Sequence, residues 1–339
     1  MKAAIFEALN RPLRVTDVDD PVPERNQLVL KVCRCGICGS DLHITQDAVF
    51  GARAGDVLGH EISGEVLEVG PEVQGLRVGD LVSVAPLAGC GRCESCLRGE
   101  PAWCSQFRLT MGGYAQYAAL LPQQCRRLPA DVSLADAALA EPLAVALHGV
   151  MRAGLQPGQR VAVVGAGAIG LAVAYWARRL GATHVAVLDL LAHQQDRALA
   201  LDATAFLATA DMDAAEQSAR LDAALGGPPD IVFECVGRPG LIDHCIGLVR
   251  PRGTVAVLGL CTATDHFDAF RAISKEVQIA MSVFFGMPEF ERTLDALDAG
   301  QAAPLALVSG TVGLDAMPEA FEALRVRSGQ CKVLVDPFG

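Results

Sequence analysis

Short apolar and alternating runs, separated by turn residues, dominate the first 130 residues of the chain. The runs Leu28–Val32, Ile62–Val69 and Leu81–Val84 have the length and pattern of β-strands. Between the runs stand Gly70-Pro71 and Gly79-Asp80, which are typical of turns. The pattern therefore predicts a β-rich N-terminal region.

Helical periodicity begins near Leu134 and continues to about Arg152. Glycine and proline interrupt it at Gly154 and Pro157-Gly158, and from Arg160 onward strands alternate with helices. The predicted strands are Val161–Val164, His184–Leu188, Ile231–Glu234, Thr254–Leu258 and Val277–Val283, and the predicted helices are Ala168–Leu180, Ala192–Leu201 and Leu241–Val249. Buried strands that alternate with helices predict an α/β fold with a doubly wound parallel sheet.

The last 50 residues contain fewer predicted elements. Helices are predicted around Glu289–Leu297 and Pro318–Leu324, and a strand at Lys332–Val335. These elements are too few to form a core of their own, so we expect them to pack on a core that other residues build.

Composition and charge limit the possible partners. Apolar residues make up 51% and charged residues 20% of 339 residues, as in globular proteins, and this length favours two domains of about 150 residues each. Acidic residues number 39 and basic residues 28, which gives a net charge of −11. Such a chain repels phosphate backbones and anionic lipid headgroups, so we expect neither a nucleic-acid nor a membrane partner.

The longest uncharged apolar run is Val161–Ala177. Its 17 residues lie at the lower limit for crossing a bilayer, and three glycines near one end favour a buried strand followed by a helix. Charged and polar residues from Glu7 to Arg14 interrupt any apolar secretory segment at the N-terminus. We therefore expect a cytoplasmic protein.

A glycine-rich motif joins the strand at Val161–Val164 to the next helix, with the sequence Gly165-Ala166-Gly167-Ala168-Ile169-Gly170. In a dinucleotide-binding loop the first glycine permits the turn, the second lets the backbone approach the pyrophosphate, and the third allows close packing of helix and strand. The phosphates then lie at the positive end of the helix. Asp189 ends the next strand 19 residues after Gly170, near the distance expected for a carboxylate on the adenosine ribose.

A tight glycine turn with a helix-capping aspartate is the alternative to a cofactor site. The strand–loop–helix context favours a nicotinamide dinucleotide. A carboxylate at Asp189 would repel a 2′-phosphate, and Arg197, the nearest downstream base, lies eight residues away, so NAD is favoured over NADP. Val236, which follows the strand Ile231–Glu234, is included in the predicted cofactor site.

Twelve cysteines in a chain without a secretory signal indicate metal ligands and buried thiols rather than disulfides. Four of them are closely spaced, in the order Cys90-x2-Cys93-x2-Cys96-x7-Cys104. Four thiolates complete a tetrahedral Zn²⁺ site, so no position remains for a substrate and the metal would be structural. Chance clustering, an iron–sulfur cluster and a zinc-ribbon nucleic-acid module are alternatives. The last spacing disfavours the common ferredoxin pattern, and the acidic charge disfavours the nucleic-acid module.

A second group of possible ligands begins with Cys38, in the segment Cys35-Gly36-Ile37-Cys38-Gly39-Ser40-Asp41-Leu42-His43, and His60-Glu61 follows 22 residues later. Alone, these residues say little. Along the chain they are followed by the four-cysteine motif, by Gly112-Gly113-Tyr114-Ala115-Gln116-Tyr117, by Glu141-Pro142-Leu143 and by the glycine-rich loop. In this order, over essentially the whole chain, the sequence resembles the zinc-dependent medium-chain dehydrogenases, the family of alcohol, polyol and threonine dehydrogenases.

The resemblance implies a catalytic zinc held by Cys38 and His60, with a carboxylate as the third ligand. Glu61 and Glu141 are both candidates for that ligand. Three protein ligands and one open position are the pattern of a catalytic zinc. Together with the four-cysteine site, the chain would hold two Zn²⁺ ions.

The resemblance also implies a reaction, in which a hydride passes between an alcohol carbon and the nicotinamide ring. Ser40 and His43 would carry the released proton outward; without the resemblance they would be a turn hydroxyl and a structural histidine. The leading prediction is an NAD-dependent dehydrogenase of secondary alcohols or polyols. A threonine-type amino-alcohol 3-dehydrogenase and a catalytically inactive zinc- and nucleotide-binding regulatory protein are the alternatives.

The same resemblance implies two domains. A GroES-like β-rich catalytic domain would comprise residues 1–150 and 287–339, with a four-cysteine lobe at 89–105, and a Rossmann domain would comprise residues 151–286. The strand Val277–Phe285 would pair with its copy across a two-fold axis, giving a homodimer or a homotetramer.

Overall fold

The computed structural model describes residues 1–298, 303–326 and 328–339. These residues form two compact units. The described residues of Met1–Glu141, Gly286–Gln301 and Val308–Gly339 form the first unit, and those of Pro142–Phe285 and Ala302–Leu307 form the second. Both units are therefore discontinuous in sequence.

Residues 1–152 contain nine strands and four α-helices. The strands are β1 (Lys2–Ile5), β2 (Arg14–Asp17), β3 (Leu28–Gly36), β4 (Glu61–Val69), β5 (Leu81–Val84), β6 (Leu87–Ala88), β7 (Arg108–Leu109), β8 (Tyr117–Leu120) and β9 (Cys125–Arg127). The helices are α1 (Gly39–Ile44), α2 (Glu94–Leu97), α3 (Leu134–Ala137) and α4 (Ala140–Arg152).

The remaining residues alternate strands and helices, in the order β10 (Arg160–Val164), α5 (Ala168–Arg179), β11 (His184–Asp189), α6 (Gln195–Ala200), β12 (Ala205–Ala208), α7 (Ala214–Leu225), β13 (Ile231–Glu234), α8 (Leu241–Leu248), β14 (Thr254–Val257), α9 (Ala269–Ser274), β15 (Gln278–Met281), α10 (Met287–Asp298), β16 (Val308–Gly313), α11 (Met317–Ala323) and β17 (Lys332–Asp336). Single 3₁₀ turns connect several of them.

The first unit is built around β3, which pairs with β4, β8 and β17 in a seven-stranded sheet. Leu28, Leu30 and Val32 alternate along β3 and all point into the core, as the period of a strand requires. Strand β17 adds Val333 and Val335 to the same core. The prediction that the last residues pack on a core built by others is confirmed.

The second unit contains a six-stranded sheet in the order β12-β11-β10-β13-β14-β15, with every neighbouring pair parallel. Its central strands are buried along nearly their whole length, as expected when helices cover both faces. The predicted doubly wound parallel sheet is confirmed. The strand order reverses between β10 and β13, and ligands bind at such a reversal, outside the carboxyl ends of the strands.

Several predicted boundaries are wrong. The helix predicted from Leu134 to Arg152 is divided into α3 and α4, because Pro142 has no N–H with which to continue a helix from the residues before it. The helix predicted at Ala192–Leu201 begins with a 3₁₀ turn, Ala192–Gln194. The strand predicted at Val277–Val283 is only Gln278–Met281.

The prediction also missed whole elements, including the β1–β2 hairpin and the pair β12 and α7. Helix α7 begins at an Asp213 cap that accepts a hydrogen bond from the Glu216 N–H at 2.8 Å. An acid followed three residues later by Glu is a recognisable start signal for a helix. Within the described residues, no helix is both long and apolar enough to cross a membrane.

Candidate active site and metal centres

The pairing of β3 with β4 brings the first group of site residues together. The two strands are antiparallel, with Gly36 opposite Glu61, so the end of β3 lies beside the start of β4. Cys38 lies two residues after the end of β3, and His60 immediately precedes β4. The Cys38 thiol, the His60 ring and the Glu61 carboxylate each offer an atom within 4.8 Å of the others.

Glycine at position 36 makes room for the Glu61 carboxylate. A Cβ atom added to Gly36 would lie 1.8 Å from Glu61 Oε2. Any side chain here would therefore displace the carboxylate from its place beside Cys38 and His60. The motif Cys35-Gly36-Ile37-Cys38 supplies this space as well as the Cys38 thiol.

Lys332 fixes the other oxygen of the same carboxylate. Its Nζ donates to Glu61 Oε1 at 2.5 Å and to the Ile37 carbonyl at 3.0 Å, and both side chains are buried. Burial lowers the pKa of Lys332, but the negative charge of Glu61 outweighs this effect and raises it above the usual value. Glu61 Oε2 is buried and has no hydrogen-bond partner among the residues that the structure describes. A buried carboxylate oxygen of this kind fits a metal ligand.

Asp41 orients the His60 ring. His60 Nδ1 lies 3.3 Å from Asp41 Oδ1, while Asp41 Oδ2 accepts hydrogen bonds from Tyr114 Oη at 2.5 Å and from the Cys38 N–H at 3.3 Å. Burial lowers the pKa of His60, but Asp41 and Cys38 raise it well above its usual value. A carboxylate behind one nitrogen of a ring is the usual support for a histidine that binds metal through the other nitrogen.

Glu141 lies at the start of α4, with 7% of its surface exposed. Burial raises its pKa to about 7; the charge of His60 opposes this rise and that of Glu61 adds to it. Its carboxylate is not among the three side chains whose ligand atoms lie within 4.8 Å of one another. Glu141 is therefore near enough to interact electrostatically with the site, but Glu61 is the carboxylate in contact with it.

Ser40 and His43 both lie on α1, three residues apart and thus on one face. The Ser40 hydroxyl donates to Cys38 Sγ at 3.2 Å. His43 is half-buried in the last turn. Burial lowers its pKa; Asp47 opposes this change and Arg325 adds to it. Arg325 also donates to Leu42 O at 3.1 Å and Thr45 Oγ1 at 2.8 Å, which anchors this end of α1.

The four cysteines of the second group surround one point. Their sulfur atoms all lie within 4.8 Å of one another, and a Cβ atom at Gly89 would lie 2.6 Å from Cys96 Sγ. Backbone N–H groups point at the thiols: that of Cys93 lies 3.4 Å from Cys90 Sγ. Such donors lower the pKa of Cys90 to about 6, whereas burial raises that of Cys96 to about 12. Four converging thiols fit a tetrahedral zinc site with no open position.

The glycine-rich loop lies in the second unit, between β10 and α5. Gly165 has φ +103°, which disfavours any side chain, and a Cβ atom at Gly170 would lie 1.9 Å from the Gly165 carbonyl oxygen. Gly167 is the N-cap residue of α5, and space is open beside it. Ala168 and Ile169 form the first turn, where helix N–H groups point outward. The loop therefore has the shape and the donors that a pyrophosphate requires.

Asp189 ends β11 beside this loop. Its Oδ2 accepts a hydrogen bond from the Ala166 N–H at 2.9 Å, so the carboxylate is tied to the glycine-rich turn. Val236, after β13, contacts the loop from the other side, since a Cβ atom at Gly165 would lie 2.6 Å from Val236 Cγ2. The predicted cofactor residues are thus adjacent at the carboxyl edge of the sheet.

Sequence reasoning did not assign a role to Asp41, Tyr114 or Lys332. Asp41 and Tyr114 stand inside motifs that carry the family resemblance, which was a usable signal. Lys332 begins a C-terminal strand, 271 residues after Glu61, and nothing in its sequence neighbourhood points to a buried carboxylate.

Comparisons with known proteins show the family of the chain. Residues 24–130 match the model of the alcohol dehydrogenase GroES-like domain, and residues 168–299 match that of the zinc-binding dehydrogenases. D-xylulose reductase A of Aspergillus niger is 32% identical over 329 residues, which cover 93% of this chain and 92% of that protein.

Solved structures give the same result. The 2R,3R-butanediol dehydrogenase of Bacillus subtilis is 28% identical with a TM-score of 0.88, and 99% of each chain is covered. A zinc-binding dehydrogenase of Sinorhizobium meliloti 1021, bound to NADP, is 29% identical with a TM-score of 0.89 and the same coverage. The chain belongs to the zinc-dependent medium-chain dehydrogenase/reductase family, whose members are oxidoreductases that use a nicotinamide cofactor.

Proposed function

We propose that this protein is a zinc-dependent dehydrogenase that oxidises a secondary alcohol or polyol with NAD, in a reversible reaction. The observation that carries the proposal is the buried, unpartnered Oε2 of Glu61 within the described residues, beside Cys38 and His60. These three side chains provide the thiolate, imidazole and carboxylate of a catalytic zinc site.

Cys38, His60 and Glu61 would hold the catalytic ion. Glu61 is favoured over Glu141 as the third ligand because its carboxylate alone belongs to the 4.8 Å group. Lys332 holds one of its oxygens and leaves the other directed at the site. When bound, zinc supplies a Lewis acid that makes a hydroxyl group more acidic. Glu141 remains a second carboxyl group of the site.

The chain itself must remove the proton that alcohol oxidation releases. Ser40 is hydrogen-bonded to Cys38, so its hydroxyl lies at the proposed metal site. His43 follows one helical turn later, and its lowered pKa keeps the ring neutral and able to accept a proton near neutral pH. We assign Ser40 and His43 to the proton path in this order.

The four-cysteine site would hold a second, structural zinc. Its four sulfurs would occupy every tetrahedral position, which leaves none for a substrate. The expected content is therefore about two zinc ions per chain.

NAD is proposed over NADP on the position of Asp189. Its carboxylate is tied to Ala166 at the loop that would hold the pyrophosphate, where it would repel a 2′-phosphate. The solved structure from Sinorhizobium meliloti is bound to NADP, so the choice between the two cofactors needs a direct test. Separate titrations of the protein with NADH and with NADPH, each followed by the fluorescence of the reduced nicotinamide, would test this choice: tighter binding of NADPH would contradict it.

A secondary alcohol or polyol is proposed as substrate because the relatives include a D-xylulose reductase and a butanediol dehydrogenase. The test is a panel of secondary alcohols, polyols and L-threonine, followed by NADH absorbance. Fastest turnover of L-threonine would instead support an amino-alcohol 3-dehydrogenase. Zinc-loaded protein that binds NADH but oxidises none of the panel would support the inactive regulatory alternative.

We propose a homodimer, or a homotetramer built from two dimers, because the sheet of the second unit has an exposed edge strand. Strand β15 is an edge strand, and Met281 and the nearby Val283 are 59% and 48% exposed. An exposed apolar edge strand is suited to pairing with a second copy. Light scattering in solution would test this; a monomer at micromolar concentration would contradict it.

A further inference from the structure

A buried glutamate, Glu234, lies at the point where the order of the parallel sheet reverses. It ends β13, next to β10 and the glycine-rich loop, and only 2% of its surface is exposed. Burying an ionisable carboxyl group is costly unless hydrogen bonds compensate. Neither the proposed metal sites nor the proton path uses this residue, so its place needs another explanation.

The Glu234 side chain turns back onto the chain that follows it. Its Oε1 accepts hydrogen bonds from the Val236 N–H at 2.7 Å and from the Gly237 N–H at 2.9 Å. Two donors on one oxygen hold the three residues after the strand in a tight turn. Gly237 has φ +74°, and a Cβ atom there would lie 2.4 Å from the Leu260 carbonyl oxygen.

The other side of the carboxylate is equally confined. A Cβ atom at Gly259, just after β14, would lie 2.3 Å from Glu234 Oε2. The Gly259 N–H also donates to the Glu234 carbonyl at 3.0 Å. The carboxylate is thus enclosed between its own turn and the end of the next strand, and it has little freedom to move.

The turn that Glu234 holds is in contact with the cofactor loop. The Cys235 N–H donates to the Val164 carbonyl at 2.9 Å, which ties the turn to the residue before Gly165. A Cβ atom at Gly165 would lie 2.6 Å from Val236 Cγ2 and 3.3 Å from the Cys235 carbonyl oxygen. A shift of the turn would therefore move either Val236 or the first glycine of the loop.

We propose that Glu234 is a positioning residue of the cofactor site: its carboxylate holds Val236 against Gly165 and so preforms the crevice that receives the dinucleotide. A preformed site binds more tightly because less ordering is required on binding. The inference rests on the proposed role of the glycine-rich loop in binding NAD. It predicts an effect on cofactor affinity and little effect on the rate once the cofactor is bound.

The test compares NADH binding by isothermal titration calorimetry in the zinc-loaded wild-type protein and in variants. Glu234→Ala should weaken NADH binding about tenfold. Glu234→Gln keeps an oxygen that can accept both N–H groups and should stay within about threefold of wild type. In steady-state assays, Glu234→Ala should raise the KM for NAD by a similar factor, with kcat changed less than about threefold.

Asp230 provides a matched control at the opposite end of β13. Its Oδ2 accepts a hydrogen bond from the Arg160 N–H at 2.7 Å, and its Oδ1 pairs with Arg250 at 2.6 Å. Asp230→Ala also removes a carboxylate that ties β13 to β10, but far from the loop. It should lower the melting temperature and leave the affinity for NADH unchanged.

Val236→Ala keeps the Glu234 network and removes the methyl groups that lie against Gly165 and against the core of the second unit. It therefore tests the proposal even if Glu234→Ala does not fold. It should weaken NADH binding severalfold. Wild-type affinity for NADH in folded Glu234→Ala, or in Val236→Ala, would overturn the inference. It would also be overturned if Glu234→Gln, or the control Asp230→Ala, lost as much affinity for NADH as Glu234→Ala. Failure of the wild-type protein to bind NADH would instead refute the proposed function.

Discussion

The two candidate metal sites of the first unit differ both in their ligand atoms, four sulfurs in one and a sulfur, a nitrogen and an oxygen in the other, and in the way they are built. The four-cysteine site takes all its ligands from residues 90–104, and three of the four cysteines are only half-buried. The open site takes Cys38 from the end of β3 and His60 and Glu61 from the start of β4. It depends further on Lys332, which is 271 residues distant from Glu61.

The difference shows what an open coordination position requires. Four thiols from one short loop, with backbone N–H groups directed at them, can fill all four positions of a tetrahedral zinc site. When only three side chains bind the metal, the protein must orient each of them and keep the fourth position free of a further side chain. Asp41 faces His60, Lys332 holds Glu61, and Gly36 leaves space for the carboxylate. The proposed catalytic site thus takes its ligands and their supports from distant parts of the chain, whereas the proposed structural site takes all its ligands from one segment.

The largest expected effect is the loss of turnover when a ligand of the open site is removed, and it distinguishes the functions of the two sites. Cys38→Ala removes a ligand of the open site only, so turnover should fall by about a thousandfold or more, or roughly 4 kcal/mol of activation free energy. One of two zinc ions should remain, as measured by elemental analysis. The control is Cys33→Ala, a half-buried cysteine of β3 outside the ligand group. Normal turnover by Cys38→Ala would refute the proposed open site.

Removing a ligand from the closed, four-cysteine site should lower stability and leave turnover nearly unchanged. Cys93→Ala should release that zinc and lower the free energy of unfolding by about 3 kcal/mol or more, since structural zinc contributes on the order of 10 kcal/mol. Turnover per folded molecule should stay within about threefold of wild type. Denaturant unfolding and zinc content measure both effects. Cys261→Ala, a cysteine outside both groups, is the control, and an unchanged stability of Cys93→Ala would argue against a structural ion.

The same contrast explains how much the sequence alone could reveal. The spacing along the chain was enough to group the four cysteines of the closed site, because all of them lie in one short segment, residues 90–104. The parallel sheet and the glycine-rich loop were predictable for the same reason, since each strand and its following turn are adjacent in sequence. The joint placement of Cys38, His60 and Glu61 needed either a family resemblance or the register of β3 with β4.

The role of Lys332 could not be predicted from the sequence. A lysine at the start of a strand normally has its charge in water, and only the position of Glu61 in the folded chain makes its burial favourable. Helix α3 and helix α4 were joined wrongly because the apolar period continues across the break while Pro142 interrupts the backbone hydrogen bonds. Both errors concern interactions that a pattern of apolar residues does not record.

An intermediate effect is expected where the open site depends on Lys332. Lys332→Met keeps the apolar stem but frees Glu61 Oε1, so the carboxylate loses its fixed orientation. Residues that orient metal ligands typically contribute about 10- to 100-fold in metal affinity. Competition with a chelator should therefore show weaker zinc binding at the open site and an unchanged four-cysteine site. Equal zinc retention at both sites in Lys332→Met would show that Glu61 needs no such support.

The smallest expected effect is on the pH dependence of activity. It concerns His43, a titratable residue five positions after Cys38 in the sequence. Burial lowers the pKa of His43, the charge of Asp47 opposes this, and the charge of Arg325 lowers it further. Because the neutral ring accepts the proton, activity should persist below the usual histidine pKa of about 6.5 and then fall as the pH decreases. We therefore expect His43 to contribute to the acidic limb of kcat/KM.

Two substitutions should move that limb in opposite directions. Arg325→Gln removes a positive charge, so the pKa of His43 should rise and the limb should shift to higher pH by less than about one unit. Glu322, the ion-pair partner of Arg325, already reduces its influence, which keeps the shift small. Asp47→Asn removes the opposing negative charge but keeps the oxygen that accepts the Val49 N–H, and should shift the limb to lower pH. Identical limbs in both variants, or shifts of the same sign, would mean that a different group controls the pH dependence, and the proton path would not pass through His43.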